Sequence, residues 1–278
     1  MDKETFFAHY PLRAKDSNKF DNGRILLIAG SEGIAGAAVL NISGAEAVGT
    51  SYIHCLLPAD IYPIAATNKI TTVYHPDSLA SGRFLDDLSL YDKVDAIAIG
   101  SGLDHHPFRK QYLRCVLENF KGPIIADAQA LKLLADDPAL FKLSDKLILT
   151  PHLGEFSLLT GMDKQTIEEH KIEIAGNFAV TNQVDLVLKG SKTLCISKDG
   201  DLYINDSGNQ ALARAGSGDI LTGMICGLCA LYADYHTAVK DAVWLHGHLA
   251  DEALAEHSIE IFDLLKYPEY ADTFFYKR

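Results

Sequence analysis

The residues with the clearest capacity for chemistry stand together at Gly216-Ser217-Gly218-Asp219. Behind them Ile220, Leu221, Met224, Ile225 and Leu228 recur at helical spacing, so the turn opens a buried helix. A helix start carries unpaired backbone N–H groups and the positive end of its dipole. Glycines without Cβ atoms let an anion approach those groups closely, which makes Gly216, Ser217 and Gly218 a candidate anion hole for a phosphate. Asp219 does not belong to a plain phosphate site, because its charge repels such a ligand. A chemical reason for it is general-base work: it can take the proton from a hydroxyl as that oxygen attacks a terminal phosphoryl group. The bland alternative is that Asp219 caps the helix and the glycines only make a turn. On these four residues alone the bland alternative leads.

The rest of the chain changes that balance. Short apolar runs read as buried strands at Arg24–Ala29, Tyr52–Leu57, Val94–Ile99, Ile124–Ala126, Leu147–Leu149 and Val184–Leu188, with a possible edge strand at Ile70–Tyr74. Helical stretches are expected over Gly33–Val48, near 79–90, over Pro107–Asn119, after Ala130, over Asp163–Asn182, over Ala238–Ala255 and near 258–266, and a helix or loop near 60–68. Leu194–Ser197 and Leu202–Asn205 flank Asp199-Gly200, a hairpin signal. Strands alternating with helices imply an α/β fold in three layers, a mostly parallel central sheet with helices on both faces. No repeat, low-complexity segment or linker interrupts it, so residues 1–278 are expected to form a single domain.

Within that frame the polar and glycine-rich clusters at 30–36, 100–106, 127–129, 150–155 and 189–193 each follow the C-terminal end of a strand. That edge is where ligands bind in open α/β sheets. Taken singly, each cluster has an ordinary structural explanation: Asp127 as a helix cap, His152 as a core histidine, the glycines as turns. Their joint placement describes a cleft. Lys189-Gly190-Ser191-Lys192-Thr193 offers a cation, a flexible turn and hydroxyls in one place, which suits phosphate oxygens. The spacing of a Walker loop is absent, as are HExxH and EF-hand patterns.

Composition narrows the partners. A formal net charge of −12 argues against nucleic acid or an anionic membrane as the main partner. It leaves room for a nucleotide held locally by N–H groups and lysines. Five cysteines, an odd number, with a polar N-terminal stretch read as reduced thiols in a cytoplasmic protein. Cys226 and Cys229 lie inside an apolar helix and read as small core residues.

Taken together, RILLIAGSEGIAG at 24–36 with Ala37 and Ala38, Gly100-Ser101-Gly102-Leu103, Ala126-Asp127-Ala128-Gln129-Ala130-Leu131, Thr150-Pro151-His152-Leu153-Gly154-Glu155, Lys189–Thr193 and Gly216–Asp219 resemble the NAD(P)H-hydrate dehydratases of the ribokinase-like superfamily. The resemblance runs from about Arg13 to Ala250. Gly-x-Gly-Asp marks only the superfamily; Thr-Pro-His-x-Gly-Glu is more specific to the dehydratases. What it implies is a ribokinase-like three-layer sandwich and a hydro-lyase that repairs hydrated NADH or NADPH, NADHX and NADPHX. The S-epimer is dehydrated at the expense of ADP or ATP, releasing phosphate and the shortened nucleotide. The resemblance implies Asp219 as the catalytic residue, Ala37, Ala38, Gly102, His152 and Asp219 along the hydrate, and Lys189, Gly190, Ser191, Lys192, Thr193 and Gly218 around the nucleotide.

Mg2+ is expected with the nucleotide, resting on phosphates and water because no carboxylate cluster offers a metal cage. A separate epimerase is the expected pathway partner, and a homo-oligomer, a tetramer, the expected assembly. The sequence departs from the family at Glu46-Ala47-Val48-Gly49-Thr50, where an arginine and a Gly-Ala-Gly step are usual, and at Leu153, where proline is usual. Two other readings compete: a hydroxyethylthiazole or hydroxymethylpyrimidine kinase, which leaves a stable phosphorylated product, and a nucleotide-binding protein without turnover.

Overall fold

The structure is a computed structural model that describes residues 1–77, 88–106 and 108–255, with Leu88, Leu254 and Ala255 described by their backbone alone. A nine-stranded sheet runs through it in the order β3-β2-β1-β4-β5-β6-β7-β8-β9. The strands are β1 (Arg24–Ile28), β2 (Tyr52–Pro58), β3 (Val73–Asp77), β4 (Ala96–Ile99), β5 (Ile124–Ala126), β6 (Leu147–Leu149), β7 (Asp185–Leu188), β8 (Thr193–Ile196) and β9 (Leu202–Asn205). All pairs from β3 across to β7 are parallel. β8 and β9 close that end as an antiparallel hairpin.

β1 shows why the runs are apolar throughout rather than alternating. Ile25 and Leu27 belong to one core, Leu26 and Ile28 to the other. Successive strand residues point to opposite faces, and here both faces are covered. One core packs α1 (Lys3–His9), α2 (Ala35–Ala47), α9 (Ser217–Leu231) and α10 (Tyr235–Ala255) against the sheet, through residues such as Phe6, Ile42, Met224 and Trp244. The other packs α4 (Phe108–Asn119), α5 (Gln129–Asp136), α6 (Leu153–Thr160), α7 (Lys164–Glu169) and α8 (Lys171–Asn182), through Leu113, Leu134, Phe156, Ile167 and Ala179. α3 (Tyr62–Asn68) follows β2.

The alanine- and glycine-rich composition of α2 has a definite use. A Cβ added at Gly44 would lie 2.1 Å from the Ile220 carbonyl oxygen, and one at Gly223 would lie 2.0 Å from that of Asn41. The backbones of α2 and α9 therefore touch, and α9 is held down on the sheet with its first turn at the strand ends.

Several expectations change. The helix expected over Asp163–Asn182 is two helices, broken at His170 (φ −124°, ψ 31°). No proline or glycine stands at the break, so nothing in the local sequence marks it. The edge strand lies at Val73–Asp77 rather than Ile70–Tyr74. α1 and α6 were not anticipated. α1 is capped by Asp2 and buries Phe6, and His9 reaches the buried Asp241 at 3.1 Å. All five cysteines are free, with Cys226 and Cys229 buried in the core. Among the described residues no helix is long and apolar enough to cross a membrane. Most of the helix expected near 79–90, the helix near 258–266 and the aromatic tail lie outside the described residues.

Candidate active site

The five clusters that follow strands come together because their strands are consecutive in the sheet: β1, β4, β5, β6, β7. Backbone bonds join them beyond the strand ends. Gly30 N–H donates to Ser101 O at 2.9 Å, Asp127 N–H to Ile99 O at 3.1 Å, Thr150 N–H to Ala126 O at 3.1 Å and Lys189 N–H to Pro151 O at 2.8 Å. α9 presents its N-terminus to this edge.

The first turn of α9 settles the bland reading of Asp219. The N-cap is Gly216, at φ 90° in the left-handed region that favours glycine, and it makes no side-chain cap. Asp219 stands in the first turn, and its carboxylate is not used to cap the helix. Burial, and after it the charge of Asp127, push its pKa from 3.8 up to about 6, with Lys189 and the Ser101 hydroxyl acting the other way. A carboxylate held there is ionised at neutral pH yet ready to accept a proton.

Lys189 stands at the end of β7, its ammonium 2.9 Å from Asp127 Oδ1 and 3.4 Å from where a Cβ of Gly218 would lie. Burial pulls its pKa down, but Asp127, Glu155 and Asp219 outweigh that and raise it, so the cation is kept. On the other side Ser217 Oγ lies 3.3 Å from His246 Nε2. Burial holds His246 neutral, its pKa down at about 4, against the Ser217 hydrogen bond that favours the charged form.

A cavity of about 710 Å³ opens beside this cluster. Of the nucleotide-site expectations, Lys189, Gly190, Ser191, Thr193 and Gly218 line it, together with Ser217 and His152. Lys192 is exposed and outside the lining; its carbonyl accepts from Lys171 Nζ at 3.4 Å. Thr193 Oγ1 donates to Gly190 O at 3.1 Å, closing the turn. The far wall comes from residues not expected in the ligand site, among them Asn205, Asn209, Arg214, Leu221 and Val243. Asn209, Arg214 and Leu221 lie near the glycine-rich turn in the chain, whereas Asn205 and Val243 are brought to it only by the fold.

The expected hydrate-binding residues fall into two places. Gly102 lies against α2, where a Cβ on it would meet that of Ala37 at 2.5 Å. Ala38 is fully buried in the core beneath. His152 is neither a core residue nor free: it is exposed, and its Nδ1 accepts from the Gly154 and Glu155 N–H groups at 2.9 and 3.3 Å, capping α6. Glu155 accepts in return from His152 N–H at 2.9 Å. The departures near residue 50 are accommodated by the N-terminal segment, where Tyr10 donates to Val48 O at 2.9 Å and Arg13 to Gly49 O. Among the described residues no group of three or more His, Cys, Asp or Glu side chains is placed to hold a metal ion.

A parallel-rich sheet between helical layers, with a Gly-x-Gly-Asp helix start over its strand ends, defines a ribokinase-like protein. A ribokinase-like superfamily protein of Enterococcus faecalis has the same fold, with a TM-score of 0.87 at 22% identity over 99% of this chain and 95% of that one. Within that class the chain belongs to the NAD(P)H-hydrate dehydratase family, which matches residues 25–267. It is 36% identical to the ADP-dependent (S)-NAD(P)H-hydrate dehydratase of Bacillus subtilis over 251 residues, 90% of this chain and 88% of that protein. A crystal structure of the ADP/ATP-dependent NAD(P)H-hydrate dehydratase from Bacillus subtilis, co-crystallised with ATP/Mg2+, superposes with a TM-score of 0.84 at 32% identity, covering 98% of this chain and 97% of that one. The chain spans about half the length, 48%, of the bifunctional NAD(P)H-hydrate repair enzyme of Moorella thermoacetica, to which it is 35% identical over 88% of its own length.

Proposed function

We propose that the protein dehydrates the S-epimer of hydrated NADH or NADPH in an ADP- or ATP-dependent reaction. The observation that carries the reading is Asp219, a carboxylate with a pKa of about 6 at the N-terminus of α9, with Lys189 beside it. Family membership supports the same substrate class.

In this reading the terminal phosphate of the nucleotide lies between Lys189 and the N–H groups of 216–218, with the rest of the nucleotide in the adjoining cavity. The hydrate lies along Ala37, Gly102 and His152, with Ala38, expected to line it, buried beneath them. Asp219 takes the proton of the ring hydroxyl as its oxygen bonds to the terminal phosphorus. The bond from that phosphorus to the bridging oxygen breaks, and the nucleotide leaves one phosphate shorter. An N–H donor aimed at such developing charge is worth about 3 kcal/mol. The ring C–O bond then breaks, phosphate departs with the electron pair, and the ring nitrogen lone pair fills the vacated carbon. Loss of a proton from the neighbouring carbon restores the double bond. A divalent cation, when bound, supplies charge neutralisation on the phosphates. The described residues do not by themselves form a cage for it. An epimerase acting on the other epimer and a homotetrameric assembly belong to the same reading. The double length of the bifunctional relative supports the first, and light scattering tests the second.

The test is incubation with NADH hydrate and ADP, and separately ATP, with the reduced-nicotinamide absorbance followed. Recovery of the band with one phosphate released per turnover is the expected result. A stable phosphorylated product would move the protein to the vitamin-precursor kinases, and nucleotide binding with no phosphate released would make it a non-catalytic binder.

A further inference from the structure

We infer that Asp127 is a positioning residue for this site: its carboxylate fixes the Lys189 ammonium at the phosphate cradle and sets the field in which Asp219 works. The inference rests on the proposed function and deepens it.

The ordinary role for Asp127, a cap for the helix that follows, is not what it does. The N-cap of α5 is Ala128, which makes no side-chain cap. The Asp127 carboxylate takes three hydrogen bonds from the neighbouring strand ends instead. Lys189 Nζ donates to Oδ1 at 2.9 Å and Thr150 Oγ1 to Oδ1 at 2.8 Å. Ser101 Oγ donates to Oδ2 at 3.2 Å. The residue is 3% exposed, so it is not a solvated surface acid. Ala128 after it sits at φ 48°, ψ −111°, a backbone conformation an alanine rarely adopts. Strain of that kind persists where surrounding structure over-determines it, and it gathers at functional sites.

Two consequences follow from the pair. A lysine buried among apolar strands loses its proton unless a carboxylate faces it, and a long flexible stem is held in one place only by a partner. Asp127 does both for Lys189. Two charges act directly on Asp219: Asp127 from the end of β5 raises its pKa, and Lys189 from the end of β7 lowers it by less. The Ser101 hydroxyl at the end of β4 also lowers it. Glu155 at the start of α6 acts on Lys189, and His246 on α10, which Lys189 also influences, is neutral.

The experiment is Asp127→Asn in the full chain, an isosteric change that keeps an acceptor for Thr150. The Asp219 titration midpoint is read by carboxyl carbon NMR, assigned with Asp219→Asn, and ADP affinity by calorimetry. Neither readout needs turnover, so a protein inactive on NADH hydrate would refute the proposed function separately. The expected result is a midpoint lower by about one pH unit, the usual scale for one neighbouring charge, and ADP affinity about tenfold weaker, since the cation is no longer held. In an active enzyme the acid limb of kcat/KM moves by the same amount, which a merely structural role would not produce. Should Asp127→Asn not fold, Asp127→Asn is added to Lys189→Met, removing the pair as a neutral unit; relative to Lys189→Met alone the midpoint must again fall. An unmoved midpoint in either comparison, or unchanged ADP affinity in the single variant, overturns the inference.

Discussion

Asp219→Asn is expected to make the protein more stable while disabling it. The carboxylate sits in the fold with its pKa raised from 3.8 to about 6, so the ionised form is the disfavoured one. The penalty is absent below the unfolded value and complete above the folded one. At 1.36 kcal/mol per unit, the shift corresponds to roughly 3 kcal/mol above pH 6. Solvent at the cleft screens part of it, which leaves about 1–3 kcal/mol. An asparagine of the same shape avoids this cost. Urea unfolding at pH 8 should therefore show the variant more stable by that amount, with the difference shrinking as pH falls through 6 and vanishing near 4. A melting temperature a few degrees higher at pH 8 is the thermal counterpart. Turnover of NADH hydrate at saturating nucleotide should fall on the order of 100- to 10,000-fold, the scale of a lost general base, while nucleotide affinity is kept. Wild-type turnover would refute the role as base. Equal stability at pH 8 would refute the argument that burial raises the pKa, and with it the trade of stability for function at this position.

Lys189→Ala should weaken nucleotide binding, read by titration with ADP, and lower stability by about 3–5 kcal/mol because Asp127 is left buried without its partner; full affinity with a purely catalytic loss would contradict the placement of the lysine. Gly223→Ala drives a methyl to 2.0 Å from the Asn41 carbonyl oxygen and should cost about 1–3 kcal/mol in urea unfolding through forced separation of α2 and α9. An unchanged midpoint would mean the two helices do not touch as described. His152→Ala removes the acceptor that caps α6 and should cost about 1 kcal/mol; a rise in KM for the hydrate beyond that small loss of stability would support its place in the hydrate site, and an unaltered KM would remove it.

Much of the fold was legible because burial on both faces writes itself into a parallel strand as an unbroken apolar run: β5 and β6 fall where the runs at Ile124–Ala126 and Leu147–Leu149 predict. The hairpin around Asp199-Gly200 was legible for a related reason, since a turn of that type is a local property of a few residues. The break at His170 was not, because what bends the chain there is the need of Ile167 on one helix and Ala175 and Ala179 on the next to reach the same core. α1 escaped notice because its stability comes from Phe6 and the His9–Asp241 contact, not from its own periodicity.

At the site, the residue types and their places along the chain were determined by sequence alone: Gly216 through Asp219 at a helix start, and Lys189 through Thr193 and the clusters at 30–36 and 100–106 after strands. Only the tertiary structure decided what each group does electrically. Asp127 and Lys189 are 62 residues apart yet share a hydrogen bond. Asp219 acquires its raised pKa from burial and from that distant aspartate. Periodicity and turn chemistry act between near neighbours in the chain and can be read along it. Desolvation and charge act through space, and their values exist only once the sheet has brought its strand ends to one edge.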